Sequence, residues 1–474
     1  MALIISEQAN AQITPDTTLG AESSVVTPNE VIRGLPSNRV NGGANRGANL
    51  FHSFQEFNIG EGRGVYFTNP PGVENILSRV TGANRSEILG RLGVLGNANL
   101  FLINPSGIVF GQNARLDIQG SFVASTASIV KFSDGLEFNA TAPESTPLLT
   151  ISVPVGLHYG DNPGLIQVLG GDRPTRTTAE LFDTQVGLQV ERDRTLALVG
   201  GNISLSGATL RTSGGRIELG SVGPNSFVSL APINQGFSFS YDAVEKFGDI
   251  QLVQNSAVDA SGEGGGEVKV VGRRVSLSNG SVIVASTLGA ERGRALVVNA
   301  SELVELSGRT PDNRIPSGFY VQARENATGD AGELKINTQQ LLVKNRAEIG
   351  TTTFGAGKGG NLTINAAEKV DLIGRSGLFA QVNSNAKGNG GDLTINTQQL
   401  LVQDGARVSA STFGEGDSGN LTINATEKVE LFGNSSGLFA QVNPNAKGNG
   451  GDLTINTQQL LVQDGARVSQ MTND

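Results

Sequence analysis

The chain has 474 residues, of which 38% are hydrophobic, 17% charged and 5% aromatic, with 64 glycines and neither tryptophan nor cysteine. Without cysteine there is no disulfide framework and no thiolate metal site. A formal net charge of −9 with no basic run argues against nucleic acid as a partner, and no apolar stretch approaches the roughly 18 residues of a membrane-spanning helix.

Few rings and many glycines suit a thin core of small and branched aliphatics with many turns, which is an all-β profile. The first residues, "MALIISEQANAQITPD", carry Ala9-Asn10-Ala11 before Gln12. Two readings stand side by side: a chance Ala-x-Ala, or the remnant in residues 1–11 of a signal peptide cut short by a misplaced start codon. From Asn38 to Ser128 short apolar runs alternate with turn residues. Within that block "LFLI" stops at Asn104-Pro105-Ser106-Gly107 and resumes as "IVFG". Asn first, Pro second and Gly last suit the four positions of a type I turn. Asn69-Pro70-Pro71-Gly72 cannot form the same turn as readily, because proline in third position pushes its predecessor out of the helical region.

The proline-richer stretch from Pro143 to Pro174 reads as an excursion, a hairpin lying against the repeats. Further on, "GGNISLSGATLRTSGGRIELGSVG" still reads as strand, turn, strand. The C-terminal third is strongly repetitive. "AQVNSNAKGNGGDLTINTQQLLVQDGARVS", from Ala380 to Ser409, recurs at Ala440–Ser469 with one change, Ser384 to Pro444. A shorter unit ends in Asn337, Asn365, Asn396, Asn424 and Asn456, so one coil takes about 30 residues. Each coil reads as three short strands, such as "LTIN", "LLVQ" and "RVSAST", divided by Gly-containing turns. Three strands per coil on near-identical neighbours predict a parallel β-helix. The recurring asparagines are placed to form a ladder of amide hydrogen bonds down the stack. The last copy breaks off as "QMTND", which reads as a coil without a cap and suggests a longer natural reading frame or a truncated gene.

No catalytic constellation emerges. The two histidines, His52 and His158, lie far apart, and His52 sits among Phe51, Phe54 and Phe57 as a packed or capping residue. "GNSSG" at Gly433–Gly437 matches a nucleophile elbow in form only, since neither a helix nor a histidine follows. "GNGGDLTIN" has the look of a calcium nonapeptide, but that motif binds only in tandem, so a glycine-rich corner is the simpler account. The expectation is no enzyme, no catalytic residues, no metal and no cofactor.

The pieces "NLFHSFQEFNI", "SRVTG", "ANLFLINPSGIVFG" and "GSFVAST", in that order, strongly resemble the N-terminal secretion domain of filamentous haemagglutinin-like exoproteins, the secreted partners of two-partner secretion systems. The resemblance spans residues 12–170. It implies a right-handed parallel β-helix with short extra-helical hairpins. It also implies passage through the periplasm unfolded, recognition there by modules of a dedicated outer-membrane β-barrel transporter, and folding outside, secreted or at the cell surface. Adhesin or haemagglutinin activity would make glycans or proteins of host or neighbouring cell surfaces the further partners. The family's two Asn-Pro motifs fall on Asn69-Pro70 and on Asn104-Pro105 with Gly107. The first departs from the pattern, having Pro71 and Gly72 where the family usually has Asn-Leu.

The expected organisation is therefore a secretion domain at 12–250, with the excursion near 143–174, followed by a repetitive stalk at 251–474. The alternatives are a β-helical carbohydrate-active enzyme, which would need acids clustered across coils; an autotransporter passenger, which would need a C-terminal barrel; and a gene fragment with no function of its own.

Overall fold

A computed structural model describes residues 12–143, 149–171 and 186–471; the signal-peptide reading of residues 1–11 lies outside them. The fold is all-β and built chiefly from parallel strands. Two compact units are present. One holds the described parts of Met1–Gly171, Gln185–Ala208 and Glu218–Gly248; the other holds those of Asp172–Thr184, Thr209–Ile217 and Asp249–Asp474.

In the first unit three parallel stacks face one another around a core. Asn49–Phe57, Asn75–Val80, Asn99–Ile103, Phe122–Ser125 and Thr195–Gly200 form one stack. Ser86–Ile88, Ile108–Phe110, Ile166–Leu169 and Ile203–Ser206 form the second. Leu35–Gly42, Gly64–Thr68, Arg91–Leu95 and Arg115–Asp117 form the third. The N-terminal end is closed by antiparallel pairing: Ile13–Pro15 runs against Asn49–Phe57, and Ser24–Ile32 against Leu35–Gly42. Such pairing occupies edge groups that would otherwise template aggregation.

The core of this unit departs from the thin aliphatic filling that average composition suggests. Phe51, Phe54, Phe57, Phe67, Phe101, Phe110, Phe122 and Phe138 are all fully buried. Phe57 and Phe67 stack at 5.9 Å, but most of the ring contacts are edge-on or tilted, as in Phe51–Phe138 at 5.0 Å and Phe54–Phe57 at 5.1 Å. That is the arrangement that ring quadrupoles favour. The aromatics are scarce overall but concentrated here, which a whole-chain average hides.

The excursion lies only partly where the proline content suggests: Pro154–His158 belongs to it, but most of its strands lie outside 143–174. A five-stranded antiparallel sheet takes Ile129–Phe132, Glu137–Asn139 and Pro154–His158, then Phe227–Ile233 and Gly236–Ser240. Ile166–Leu169, inside the expected excursion, is back in the parallel stack. Local composition marked a departure from the repeat but not where the chain rejoined it.

In the second unit the long strands Glu267–Ser278, Leu296–Ser307, Leu334–Lys344, Leu362–Ile373, Leu393–Gln403, Leu421–Phe432 and Leu453–Gln463 stack in parallel. A second column runs through short strands from Thr209–Arg211 to Arg467–Met471. "LTIN" and "LLVQ", expected as two strands, are one. The register shifts midway, between Thr397 and Gln399 in Leu393–Gln403. Leu393, Ile395 and Thr397 point inward before the shift, and Leu400 and Val402 after it. The bulge turns a corner while keeping the strand hydrogen-bonded, so a strict period of two read from sequence splits it.

The glycines of "GNGGD" have a steric cause. A side chain at Gly360, Gly391, Gly419 or Gly451 would strike the carbonyl oxygen of the glycine one coil below, 2.0–2.2 Å from the first added carbon. The corner is close backbone packing.

Candidate recognition corners and the ladders that support them

Asn104 follows strand Asn99–Ile103 and is fully buried. Its side-chain amide donates to the Asn84 carbonyl at 3.1 Å and to Ser86 Oγ at 3.0 Å, both one coil away. Its Oδ1 accepts from the Ser106 amide at 2.9 Å, and its carbonyl accepts from Gly107 N at 3.1 Å. The four residues form a closed turn with an Asx turn nested inside it. On the other side, Gly164 N donates to the Pro105 carbonyl at 3.0 Å. Gly107 has φ +119°, and a side chain there would sit 3.0 Å from the Leu165 carbonyl oxygen. Every polar atom of the Asn104 side chain is committed to construction of the corner, and of the four residues only Ser106 is exposed.

Asn69 is built differently. Its amide donates to the Val73 carbonyl at 3.0 Å and to that of Pro70 at 3.2 Å, while Oδ1 accepts from Ala98 N at 3.0 Å. The turn itself is shifted by one residue. Val73 N donates to the Pro70 carbonyl, and Gly72, third in that turn, has φ +83°. Positive φ at the third position with proline second is the type II pattern. Asn69 follows Gly64–Thr68 and Asn104 follows Asn99–Ile103, strands of different stacks. The structure therefore puts the two Asn-Pro motifs on different corners and does not bring them together.

The repeat asparagines do meet. Asn365 donates to Asn337, Asn396 to Asn365, Asn424 to Asn396 and Asn456 to Asn424, each at 2.8 Å, and Asn337 donates to Asn299 at 2.7 Å. They lie on the outward side of their strands, next to inward Ile364, Ile395 and Ile423. A second ladder, not foreseen from the sequence, runs through the first unit. Asn99 donates to Asn75 at 3.0 Å and Asn75 to Asn49 at 3.2 Å, and Asn49 donates to the Thr150 and Ser152 carbonyls. The signal was present as Asn-Leu-Phe, Asn-Ile-Leu and Asn-Leu-Phe at spacings of 26 and 24, but the residues around these asparagines are not repeated from coil to coil.

Another residue missed from sequence is Arg79, in "SRVTG". It is fully buried and donates to Ser53 Oγ at 2.9 Å, to Thr18 Oγ1 at 2.8 Å and to the Asn139 carbonyl at 2.7 Å, with its guanidinium 4.2 Å from the Phe138 ring centroid. Burial lowers its pKa to about 10, with Asp16 acting the other way, so it is charged at neutral pH. Burial pushes the Asp16 carboxyl up, but hydrogen bonds from Thr18, Thr81 and Ser53 outweigh it and hold the group below its usual range. One arginine thus ties the N-terminal closure, a coil strand and the extra-helical hairpin together.

His52 is fully buried, with Nδ1 3.0 Å from Ser24 Oγ and its ring 5.1 Å from that of Phe67. Burial drives its pKa down to about 3. It is a neutral packed histidine. His158 is paired in register with Ile129 and Phe227 in the antiparallel sheet. Among the described residues, no group of three or more His, Asp or Glu side chains could hold a metal ion.

Compared with known proteins, residues 11–270 match the model of the TPS (two-partner secretion) secretion domain. Two heme/hemopexin-binding proteins of Haemophilus influenzae are 33% and 31% identical over 81 residues, 17% of this chain. Those matches span only 9% and 8% of the relatives' own lengths. Among solved structures, the HMW1 secretion domain of Haemophilus influenzae superposes with a TM-score of 0.58 at 18% identity, covering 95% of this chain and all of that one. This is a likeness of fold.

Proposed function

The chain belongs to the TPS secretion domain family, and from that premise we propose that it is a non-enzymatic exoprotein whose N-terminal domain is read by a dedicated outer-membrane transporter and whose repeats serve adhesion at the cell surface. The observation that carries this reading is the family match over residues 11–270, on a unit whose end is closed by its own antiparallel strands. Cysteine-free, glycine-rich, weakly hydrophobic sequence supports transit in an unfolded state. Asn69, Pro70, Asn104, Pro105 and Gly107 are the residues we assign to recognition. Reading precedes folding, because in the folded unit the Asn104 side chain has no free polar atom and no exposed surface. The transporter therefore engages an extended segment that later becomes the corner.

The test is Asn104→Ala, followed in two assays. Loss of the buried amide leaves its partners unpaired and should cost the purified domain about 2–3 kcal/mol in denaturant unfolding. Secretion by cells that express the cognate barrel should also fail. Binding of an unfolded 100–116 peptide to the barrel's periplasmic modules separates the two roles. Weaker binding of the peptide that carries Asn104→Ala supports recognition, whereas equal binding would leave Asn104 as a building residue only.

A further inference from the structure

One column of the second unit differs from the rest of its surface. Single-residue bridges link Thr287, Ala323, Thr353, Val382, Thr412 and Val442 coil to coil. The residue after each forms the column Leu288, Arg324, Phe354, Asn383, Phe413, Asn443. The backbone holds it rigidly: Phe354 N donates to the Ala323 carbonyl at 2.7 Å, Asn383 N to Thr353 at 2.9 Å, Phe413 N to Val382 at 2.9 Å and Asn443 N to Thr412 at 3.0 Å. Beside it lies a groove of about 380 Å³ lined by Glu325, Asn326, Phe354, Asn383, Asn385 and Lys387. The guanidinium of Arg324 lies 4.9 Å from the Phe354 ring centroid. Phe413 is 39% exposed.

From Phe354 to Asn443 ring and amide alternate along this column because the coils alternate in kind. Each recurs every second coil, a step of about 9.6 Å from the strand spacing of about 4.8 Å. That step is comparable to a disaccharide unit of an extended polysaccharide. A carboxamide presents donors and an acceptor together, which suits neighbouring hydroxyls. Asn443 spends one N–H on the Thr412 carbonyl at 3.1 Å and keeps its oxygen and second N–H. A ring offers an apolar face to a pyranose, at Phe354 the face away from Arg324. Glu325 and Lys387 give the groove both signs of charge, which does not favour a polyanion. An extended peptide would need free backbone groups to add as a strand, and here these are already paired between coils.

We propose that this column is a binding track for an extended, neutral, β-linked polysaccharide, one repeat per two coils. The proposal rests on the adhesive part of the function above and is independent of export.

The experiment is calorimetry of the full chain with cellohexaose, chitohexaose and mannohexaose, with coiled maltohexaose as the contrast. At least one of the first three should bind, and maltohexaose should not. The double variant Phe354→Ala/Phe413→Ala should weaken binding by about tenfold or more. Asn385→Ala, at an exposed position that lines the groove, should weaken it in the same direction, with an unchanged circular dichroism spectrum. Binding of none of the three, or equal binding by both variants, overturns the proposal. If none binds while cells displaying the chain still adhere, only this proposal fails. If oligosaccharide binds but cells do not adhere, the adhesive function fails and the track stands.

Discussion

At the scale of single residues, burial decides chemistry. His52 sits in a phenylalanine cluster that excludes water, so protonation is held off until about pH 3. Its unfolded counterpart titrates near 6.5. The unfolded state therefore binds a proton first as pH falls, and stability is fully present above about 6.5 and declines below it. Unfolding free energy should fall by about 2 kcal/mol between pH 7.5 and 5 on account of this one group, at about 1.4 kcal/mol per pH unit. Denaturant titrations at both pH values would check this, with His52→Leu expected to lose that part of the slope. The phenylalanines around His52 made its packed character legible in sequence. Arg79 was not legible, because its partners Ser53, Thr18 and Asn139 lie 26, 61 and 60 positions away. Asn104 lies between the two cases. Its turn follows from Asn-Pro-Ser-Gly itself, whereas its burial and its bonds to Asn84 and Ser86 depend on the coil next to it.

At the scale of elements, the unit of stability is one coil laid on the next. Asn396 illustrates this, since its amide donates to Asn365 and its oxygen accepts from Asn424. Asn396→Ala breaks two links at once. With a net value of about 1 kcal/mol per hydrogen bond, partly offset by water on this half-buried surface, it should lower stability by about 1–2 kcal/mol. Loss should be additive with a change at Asn75, which belongs to the other ladder and shares no partner with it. Thermal unfolding of the single and double variants would show this. The register of the repeat ladder was legible because five asparagines recur at nearly constant intervals. The joining of "LTIN" to "LLVQ" was not, because the bulge at Thr397–Gln399 reverses which alternate residues face inward.

At the scale of the whole molecule, folding that proceeds coil by coil suits a chain emerging end-first from a pore, since each coil needs only its neighbour. If folding outside helps draw the chain outward, stopping the stack should stop export. Ile395 and Ile423 are fully buried and directly paired in register. Ile395→Lys/Ile423→Lys would place two unpaired charges next to each other in the core. The amount of this variant in the culture medium should drop sharply relative to the parent chain. Normal secretion would separate export from folding of the repeats.

The amino-acid sequence by itself determined the architecture: all-β, parallel, about 30 residues per coil, with a secretion-domain signature ahead of the repeats. These properties are local and repeated. Spacing of apolar residues, turn residues and near-identical copies carries them, and each copy states them again. Tertiary structure alone decided which residues share a corner, that the two Asn-Pro motifs lie on different ones, that Arg79 joins three elements, and that Phe354 and Phe413 align in one column. Those relations join residues distant in sequence. They are set by register between coils, which unequal coil lengths and insertions keep from being counted along the chain.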